Sequence, residues 1–485
     1  MTGPQENDRP SAGDFRLADW LVQPRLNRLR RGETSIQVEP KVMDVLVFLA
    51  GSAGDVVSKR DIMDAVWPEL YITESVISRA IAGLRRALGD DARQPRFIET
   101  ILKRGYRLIA EVSAPAAGAS RPPMMLGRES PGSSGAAGAP LPFVVGQWVR
   151  GQAFYGRAAE IAEILHGNRN WLWLLGTRRI GKTSLLKQLE HLAVSSPGLG
   201  FFPLFWDLQG ADRPQDLHRD FGEALLDAGE RLRAVGILPD EVRSGDLFES
   251  LGLLRRALRA ADLDLLLLCD EVEELIHLND QDPALLRRLR REMHSREGIR
   301  SVLASSSRLW RLAAAEGETS PFLDGFTPPL YLGCLRDDEA RELIRQTRLG
   351  PGARPAFSAG DVERIRQTCG NHPYLIQLLC RRAMERDDLD TAIEDVAGDR
   401  AVSYFFAVDL ELFNEPERAI MRLLAERPSQ SLAAVREALP EHGDALAGSL
   451  GALQSLGIVS DDDTGGLHLP NAFLRRWLLA STSAP

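Results

Sequence analysis

Residues 171–184 read WLWLLGTRRIGKTS, and this stretch decides the fold of the central part of the chain. The apolar run from Trp171 to Leu175 has the length and composition of a buried β-strand. A loop of the pattern G-x-x-x-x-G-K-[ST] follows, and then the helical SLLKQLEHLA. The backbone N–H groups of such a loop, at the start of a helix, surround phosphate groups. The strand, loop and helix together predict a nucleotide-binding loop in an α/β domain.

Each position of this loop has an expected role. Lys182 is expected to reach the β and γ phosphates, and Thr183 to offer its hydroxyl group to Mg²⁺. A glycine-rich turn that binds no nucleotide is the alternative. The predicted nucleotide contacts in the loop are Gly176, Thr177, Arg178, Arg179, Ile180, Gly181, Lys182, Thr183 and Ser184.

A second motif argues against the glycine-rich turn. Five apolar residues, 265–269, are followed by Asp270 and Glu271. A carboxylate at the end of a strand can hold Mg²⁺ through water, and a second one can polarise the water that attacks the γ-phosphate. Asp270 is therefore the predicted metal ligand, and Glu271 the catalytic carboxylate that acts together with Lys182. Glu273 and Glu274 follow these two residues. The alternative is therefore that the acidic residues have no catalytic role and only begin a helix, where negative charge is favourable.

Residues 150–400 resemble the archaeal-type branch of the STAND and AAA+ P-loop ATPases. The matching segments are FYGR at 154–157, TRRIGKTS, CDEVEEL and GNHP at 370–373. The resemblance implies that Tyr155, Arg157 and Pro373 lie near the base and sugar of the nucleotide, although GNHP is equally consistent with a simple helix start. It also implies a γ-phosphate sensor at the end of the strand 299–304. The residues that follow this strand include Ser305, Ser306 and Arg308.

The N-terminal part of the chain has a different pattern. Alternating segments at 15–22 and 29–38 predict a small antiparallel sheet, and three helices should follow. The first is expected at 40–50, the second after the N-cap Ser58, and the third at 73–88. Finally, FIETILKRGYRLIAEV predicts a hairpin with a basic tip. The third helix has an apolar stripe of Ile77, Ile81, Leu84 and Leu88 and an opposite face of small and basic residues.

This order of elements, with LRRALGDD and IETILKRGYRL, resembles the OmpR/PhoB-type winged-helix DNA-binding domain in its CadC-like branch. The resemblance implies that the third helix enters the major groove and that the hairpin is the wing. Residues 75–107 carry eight basic and three acidic side chains, which suits phosphate contacts. A protein-interaction module is the alternative. The candidate DNA contacts are Ser75, Ser78, Arg79, Arg85, Arg86, Lys103, Arg104 and Tyr106.

A stretch of different composition separates the N-terminal part of the chain from the ATPase-like part. Of the 30 residues from 113 to 142, 23 are Ala, Gly, Ser or Pro, which predicts a flexible linker. The predicted domains are a winged helix at 14–112, the linker at 113–142, an ATPase core at 143–333, a helical lid at 334–410 and a second winged helix at 411–485. The hairpin of this last domain carries acidic residues at 461–463, so a packing or nucleotide-sensing role is favoured over DNA contact.

The 485 residues, 44% hydrophobic and 26% charged with a formal net charge of -9, are typical of a globular multidomain α/β protein. The sequence has no apolar run that could cross a membrane, so a cytoplasmic location is expected. The expected function is an ATP-dependent transcription regulator with ATP or ADP and Mg²⁺ as cofactors. Expected partners are double-stranded DNA, further copies of the chain in the ATP state, and RNA polymerase or a signalling protein. A DNA-remodelling, initiator-like or transposition ATPase and an immune or stress-sensing STAND protein are the alternatives.

Overall fold

The computed structural model describes residues 15–24, 28–32, 34–38, 40–54, 56–66, 74–91, 95–101, 105–110, 112–113, 141–211, 213–294, 297–306, 322–323, 325–443, 445–462 and 464–482. These residues belong to two compact units, the first within 1–139 and the second within 140–485. The hydrophobic side chains of each unit form their own buried clusters.

The first unit begins with an antiparallel sheet of order β4-β3-β2-β1-β8. The sequence predicted two extended segments here, and the structure divides them into four strands. A turn that contains Ala18, whose φ is +50°, reverses the chain inside the first segment. Leu17 before the turn therefore pairs with Trp20 after it. The strands are β1 (Phe15–Leu17), β2 (Trp20–Gln23), β3 (Arg28–Arg31), β4 (Thr34–Gln37) and β8 (Val112–Ser113).

Three helices pack on this sheet, as the sequence predicted. They are α1 (Pro40–Gly51), α2 (Lys59–Val66) and α3 (Glu74–Leu88). The Ser58 hydroxyl accepts the Asp61 N–H at 3.1 Å, which confirms the predicted cap of α2. The predicted stripe of α3 is at most 1% exposed at all four positions, so this face belongs to the core.

The predicted hairpin is also present. Strands β6 (Ile98–Ile101) and β7 (Gly105–Leu108) pair antiparallel, and β5 (Val56–Val57) pairs with the other edge of β7. Gly105 has φ of +135°, and a Cβ atom there would lie 2.0 Å from the Val57 carbonyl oxygen. Only glycine therefore lets β7 approach β5 this closely.

The second unit is built on a parallel five-stranded sheet of order β10-β11-β12-β9-β13. This arrangement places the carboxyl ends of β9, β11 and β12 at one edge, where a ligand site is expected in an open α/β sheet. The strands are β9 (Trp171–Leu175), β10 (Phe201–Asp207), β11 (Asp264–Asp270), β12 (Ile299–Ser305) and β13 (Leu330–Tyr331).

Both faces of the sheet are covered, which explains why β11 is apolar throughout. Leu265 and Leu267 belong to the cluster formed with α6 and α9, whereas Leu266 and Leu268 belong to the cluster formed with α5. The helices of this part are α4 (Ala158–His166), α5 (Lys182–Ser195), α6 (Pro214–Asp227), α7 (Gly229–Ala234), α8 (Pro239–Val242), α9 (Leu247–Ala260), α10 (Glu274–Gln281) and α11 (Pro283–His294).

The remaining helices share one continuous hydrophobic core. The sequence separated a lid from a C-terminal winged helix at 410, and the core crosses that boundary, because side chains from both sides belong to it. The five lid helices are α12 (Asp337–Arg345), α13 (Ala359–Cys369), α14 (Pro373–Arg386), α15 (Leu389–Ala397) and α16 (Arg400–Leu410).

The C-terminal part has the elements that the sequence predicted. Its helices are α17 (Glu415–Glu426), α18 (Leu432–Ala438), α19 (Ala445–Ser455) and α20 (Ala472–Thr482), and the short hairpin is β14 (Ser460–Asp461) with β15 (Leu467–His468). The Asn471 side chain accepts the Leu474 N–H at 3.1 Å and so caps α20. Gly370 of the lid lies so close that a Cβ atom would be 2.7 Å from the Asn471 nitrogen. The C-terminal domain is therefore packed tightly on the lid.

Candidate nucleotide site and DNA-binding module

The predicted phosphate loop joins β9 to α5 at the carboxyl edge of the sheet. Gly181 has φ of +104°, which favours glycine. The Lys182 ammonium donates hydrogen bonds to the carbonyl oxygens of Gly176 at 2.9 Å and Thr177 at 3.0 Å. The lysine therefore satisfies its charge on the loop itself and lies where bound phosphates would replace these carbonyl groups.

The loop meets the second motif directly. The Thr183 hydroxyl donates a 2.6 Å hydrogen bond to Asp270 at the end of β11. Burial raises the pKa of Asp270 to about 6, while the hydrogen bond from Thr183 and the charge of Lys182 act in the opposite direction. Hydroxyl and carboxylate oxygens are ligands that Mg²⁺ accepts, so the residues present fit the predicted ion. Within the described ranges there is no group of three or more His, Cys, Asp or Glu residues that could hold a metal ion.

Glu271 follows Asp270 with a left-handed backbone, its φ being +52°. Such a conformation is rare for a residue with a side chain and is found where a site holds the chain in a fixed direction. Part of the side chain is exposed at the edge of the site, while protein surrounds most of it. Desolvation by the surrounding protein, followed by the charges of Glu273 and Asp270, raises the pKa of Glu271. A carboxylate with a raised pKa is suited to receive a proton.

Asp207 is a third carboxylate at this edge that the sequence analysis missed. It ends β10 and stands beside Asp270 in the strand register. Burial raises its pKa, and its charge raises that of Asp270. The signal was available, since FFPLFWD is a buried strand that ends in an acid, as LLLLCD is.

The predicted sensor residues are engaged inside the protein. The Ser305 hydroxyl accepts the Trp173 indole N–H at 2.7 Å and donates to the Ser306 carbonyl at 3.1 Å. The Ser306 N–H donates to Glu273 at 2.6 Å. Both serines are at most 2% exposed, so neither hydroxyl is open to a phosphate in this structure. Arg308 lies outside the described residues.

Tyr155 and Arg157 are both buried, and Arg157 contacts the loop. The Tyr155 hydroxyl accepts the Arg348 N–H at 3.2 Å. The Arg157 guanidinium donates to the carbonyls of Gly333 at 2.6 Å and Ile180 at 3.3 Å. Because Ile180 belongs to the phosphate loop, Arg157 positions the loop rather than offering its charge to a ligand.

The lid contains Pro373, a predicted nucleotide contact, and His372, a neighbour that the sequence analysis did not single out. Pro373 is the first residue of α14, and His372 before it is 6% exposed. Neither ring nitrogen of His372 has a hydrogen-bond partner among the described residues. Burial, together with Arg157 and Arg179, lowers the pKa of His372 to about 3, so the ring is neutral. His372 and Thr177 line the same cavity, which extends to the C-terminal domain.

In the first unit, the structure revises two of the predicted DNA contacts. Tyr106 is 5% exposed and belongs to the hydrophobic core, so its ring is packed inside the unit and is poorly placed for a contact with DNA. The Arg85 guanidinium donates to the Ile98 carbonyl at 2.8 Å and to the Thr100 hydroxyl at 2.9 Å, which ties α3 to the hairpin. Arg86 is exposed on α3.

The other predicted DNA contacts cannot be placed. Lys103 and Arg104 lie outside the described residues, and the described side chains do not include those of Ser75, Ser78 and Arg79.

Comparison with known proteins defines the first unit. The family described as "Transcriptional regulatory protein, C terminal" matches residues 32–108. The transcriptional activator CadC of Escherichia coli is 38% identical over 98 residues, which are 20% of this chain and 19% of that protein. The cholera toxin transcriptional activator of Vibrio cholerae is 39% identical over 104 residues, 20% of this chain and 35% of that protein. This chain thus covers about a fifth to a third of the length of these relatives. Residues 32–108 form a DNA-binding domain of the OmpR/PhoB type, as the sequence predicted.

The second unit resembles a Walker-type ATPase of Pyrococcus abyssi, with a TM-score of 0.50 and 15% sequence identity. That likeness covers 70% of this chain and all of the archaeal one, and it confirms the P-loop ATPase fold.

No helix within the described ranges is long and apolar enough to cross a membrane.

Proposed function

We propose that this chain is an ATP-dependent transcription regulator in which the nucleotide bound to the second unit controls assembly and DNA binding by the first. One observation carries the proposal: the contact of Thr183 with Asp270 beside Lys182, in a chain that also has a DNA-binding domain of a transcription-regulator family. The relatives of that domain are named as transcriptional activators, which supports a role in transcription.

The residues of the site have separate tasks in this proposal. Lys182 exchanges its two carbonyl partners for phosphate oxygens when ATP binds. Thr183 and Asp270 would hold Mg²⁺, which supplies positive charge to the phosphates. Glu271 accepts a proton from the attacking water. The loop must keep its shape while these groups act, and the hydrogen bond of Arg157 to Ile180 supports that shape.

We expect hydrolysis to time the switch rather than to drive movement along DNA. ADP would favour a closed monomer, and ATP an assembled form. An assembly that presents several DNA-binding domains gains affinity through effective concentration, without new contacts to bases. The C-terminal domain, which shares a core with the lid, is suited to report the nucleotide state and not to bind DNA.

The test uses the full-length protein and a DNA duplex that the protein itself selects from a random pool. Mass and DNA affinity are measured with ADP and with a non-hydrolysable ATP analogue, each with and without the duplex. We expect a larger mass and tighter DNA binding with the analogue. Equal mass and equal affinity in both states would contradict the switch. Fast hydrolysis that DNA strongly stimulates, at constant mass, would indicate a remodelling ATPase instead.

A further inference from the structure

Asp409, near the end of α16, meets the phosphate loop from the side of the lid. Asp409 is 8% exposed, and the backbone N–H of Arg178, the third residue of the loop, favours the charged form of its carboxylate. Asp409 and Thr177 also line the same cavity. A negative charge therefore lies beside a loop whose N–H groups are placed to bind phosphate.

The next loop residue packs against two helices of the lid, α14 and α16. The Arg179 guanidinium lies 4.4 Å from the centre of the Tyr374 ring and 5.8 Å from that of Phe405. Phe405 is four residues before Asp409, so both lie on one face of α16. Two consecutive residues of the loop thus lie against the lid, Arg178 beside Asp409 of α16 and Arg179 between Tyr374 of α14 and Phe405 of α16. The shape of the loop depends on the position of the lid.

The Asp409 carboxylate is incompletely satisfied. Its Oδ1 atom is buried and has no hydrogen-bond partner among the described residues. A buried polar atom without a partner is destabilising, and natural structures retain few of them. Burial raises the pKa of Asp409 to about 7, while Lys182, Arg178 and Arg179 favour its charged form. An uncharged side chain of the same size would pack equally well at this position.

We propose that Asp409 makes the closed arrangement selective for a nucleoside diphosphate over a triphosphate. A γ-phosphate adds negative charge to the loop, which already shares a cavity with the carboxylate of Asp409. The two anions repel each other in a site of low dielectric, so a triphosphate favours release of α16 from the loop. The diphosphate leaves that contact in place. This inference rests on the proposed nucleotide function and names its regulation.

The test compares the dissociation constants of ADP and of a non-hydrolysable ATP analogue for the full-length protein. It is made at pH 8, where Asp409 is mainly charged. Asp409→Asn keeps the size and an acceptor for the Arg178 N–H but removes the charge. We expect the ratio of the two constants to shift toward the triphosphate by about tenfold or more, a change worth ~1.4 kcal/mol. Asp409→Ser, which also removes the charge, should shift it in the same direction, and it replaces Asp409→Asn if that variant does not fold.

Glu411→Gln is the matched control. Glu411 is exposed and lies two residues after Asp409. Its replacement removes the same charge, and the ratio of the two dissociation constants should equal that of the wild type. If Asp409→Asn binds both nucleotides with the wild-type ratio, the selectivity proposed for Asp409 is overturned while the nucleotide function stands. If the wild type binds neither nucleotide, the proposed function fails first, and this inference fails with it.

Discussion

Thr183 at the start of α5 donates a hydrogen bond to Asp270 at the end of β11, over 2.6 Å and a sequence separation of 87 residues. The bond joins the two motifs that the sequence singled out and brings the predicted metal ligands together before any ligand is bound. Because Asp270 is buried, its pKa is about 6, well above the usual value for an aspartate. The carboxylate is therefore within reach of protonation near neutral pH.

This pKa predicts how Mg²⁺ acts on ATP binding. Mg²⁺ requires the charged form of Asp270 and competes with its proton, so the gain in ATP affinity from Mg²⁺ should shrink as the pH falls below about 6. The ATP affinity is measured with and without Mg²⁺ from pH 5 to 8. In Asp270→Asn, residue 270 cannot titrate. The effect of Mg²⁺ on the ATP affinity of this variant should be smaller, and it should change with pH only as far as the phosphates of ATP themselves titrate. The same pH profile in both proteins would contradict the assignment.

Lys182→Ala should weaken nucleotide binding by roughly 10- to 100-fold, because charge-assisted hydrogen bonds to the phosphates are lost. DNA binding by the first unit should remain. Isothermal titration with ADP measures the effect. Lys187→Ala is the control, since Lys187 lies on the same helix but pairs with Glu190 at 3.2 Å. Nucleotide affinity that is lowered equally in both variants would show that Lys182 has no special role.

Glu271→Gln should leave ATP binding intact and slow hydrolysis by about 10²- to 10⁴-fold, because the amide cannot accept the proton of the attacking water. Phosphate release and ATP affinity are measured on the same samples. In a switch, this variant also holds the assembled form and binds DNA more tightly than the wild type with ADP. Glu274→Gln, on the adjoining helix, is the control. A variant at Glu271 that stays monomeric with ATP bound and keeps wild-type DNA affinity would refute the switch.

Arg86 and Arg85 are neighbours on α3 with different environments, so their replacement should have different effects. Arg86→Ala removes an exposed charge and should flatten the log–log salt dependence of DNA binding by ~0.9 if one phosphate contact is lost. Arg85→Ala removes two hydrogen bonds to the hairpin and should lower the melting temperature of the domain while leaving the salt slope nearly unchanged. Binding across a salt series and thermal melting separate the two effects. A flatter slope for Arg85→Ala alone would reverse these roles.

Asp409 should make stability depend on pH. Its pKa is about 7 in the folded protein and near ~4 when unfolded. Between these values the folded state holds the extra proton, so this residue lowers stability as the pH rises from about 4 to about 7. The melting temperature of Asp409→Asn should equal that of the wild type near pH 4 and exceed it increasingly up to pH 7. A constant difference across this range would show that folding does not raise the pKa of Asp409.

The sequence alone determined the two motifs, the three helices and the hairpin of the first unit, and the separation of the chain into two units. These features depend on local signals. The loop 176–183 follows a buried strand and begins a helix, the stripe of α3 repeats with the helical period, and Ser58 and Asn471 are caps that act within three residues. Each of these signals lies within a short stretch of chain.

Only the tertiary structure decided which side chains remain available for a ligand. Tyr106, Arg85 and Ser305 have the residue types expected at a site, yet each is buried or hydrogen-bonded to a residue distant in sequence. Asp207 and Asp409, which no motif marks, lie at the site because strand register and helix packing place them there. Burial and long-range hydrogen bonds arise from the packing of the whole unit. A sequence pattern therefore shows that a residue can do chemistry, and the fold decides whether its atoms face the ligand.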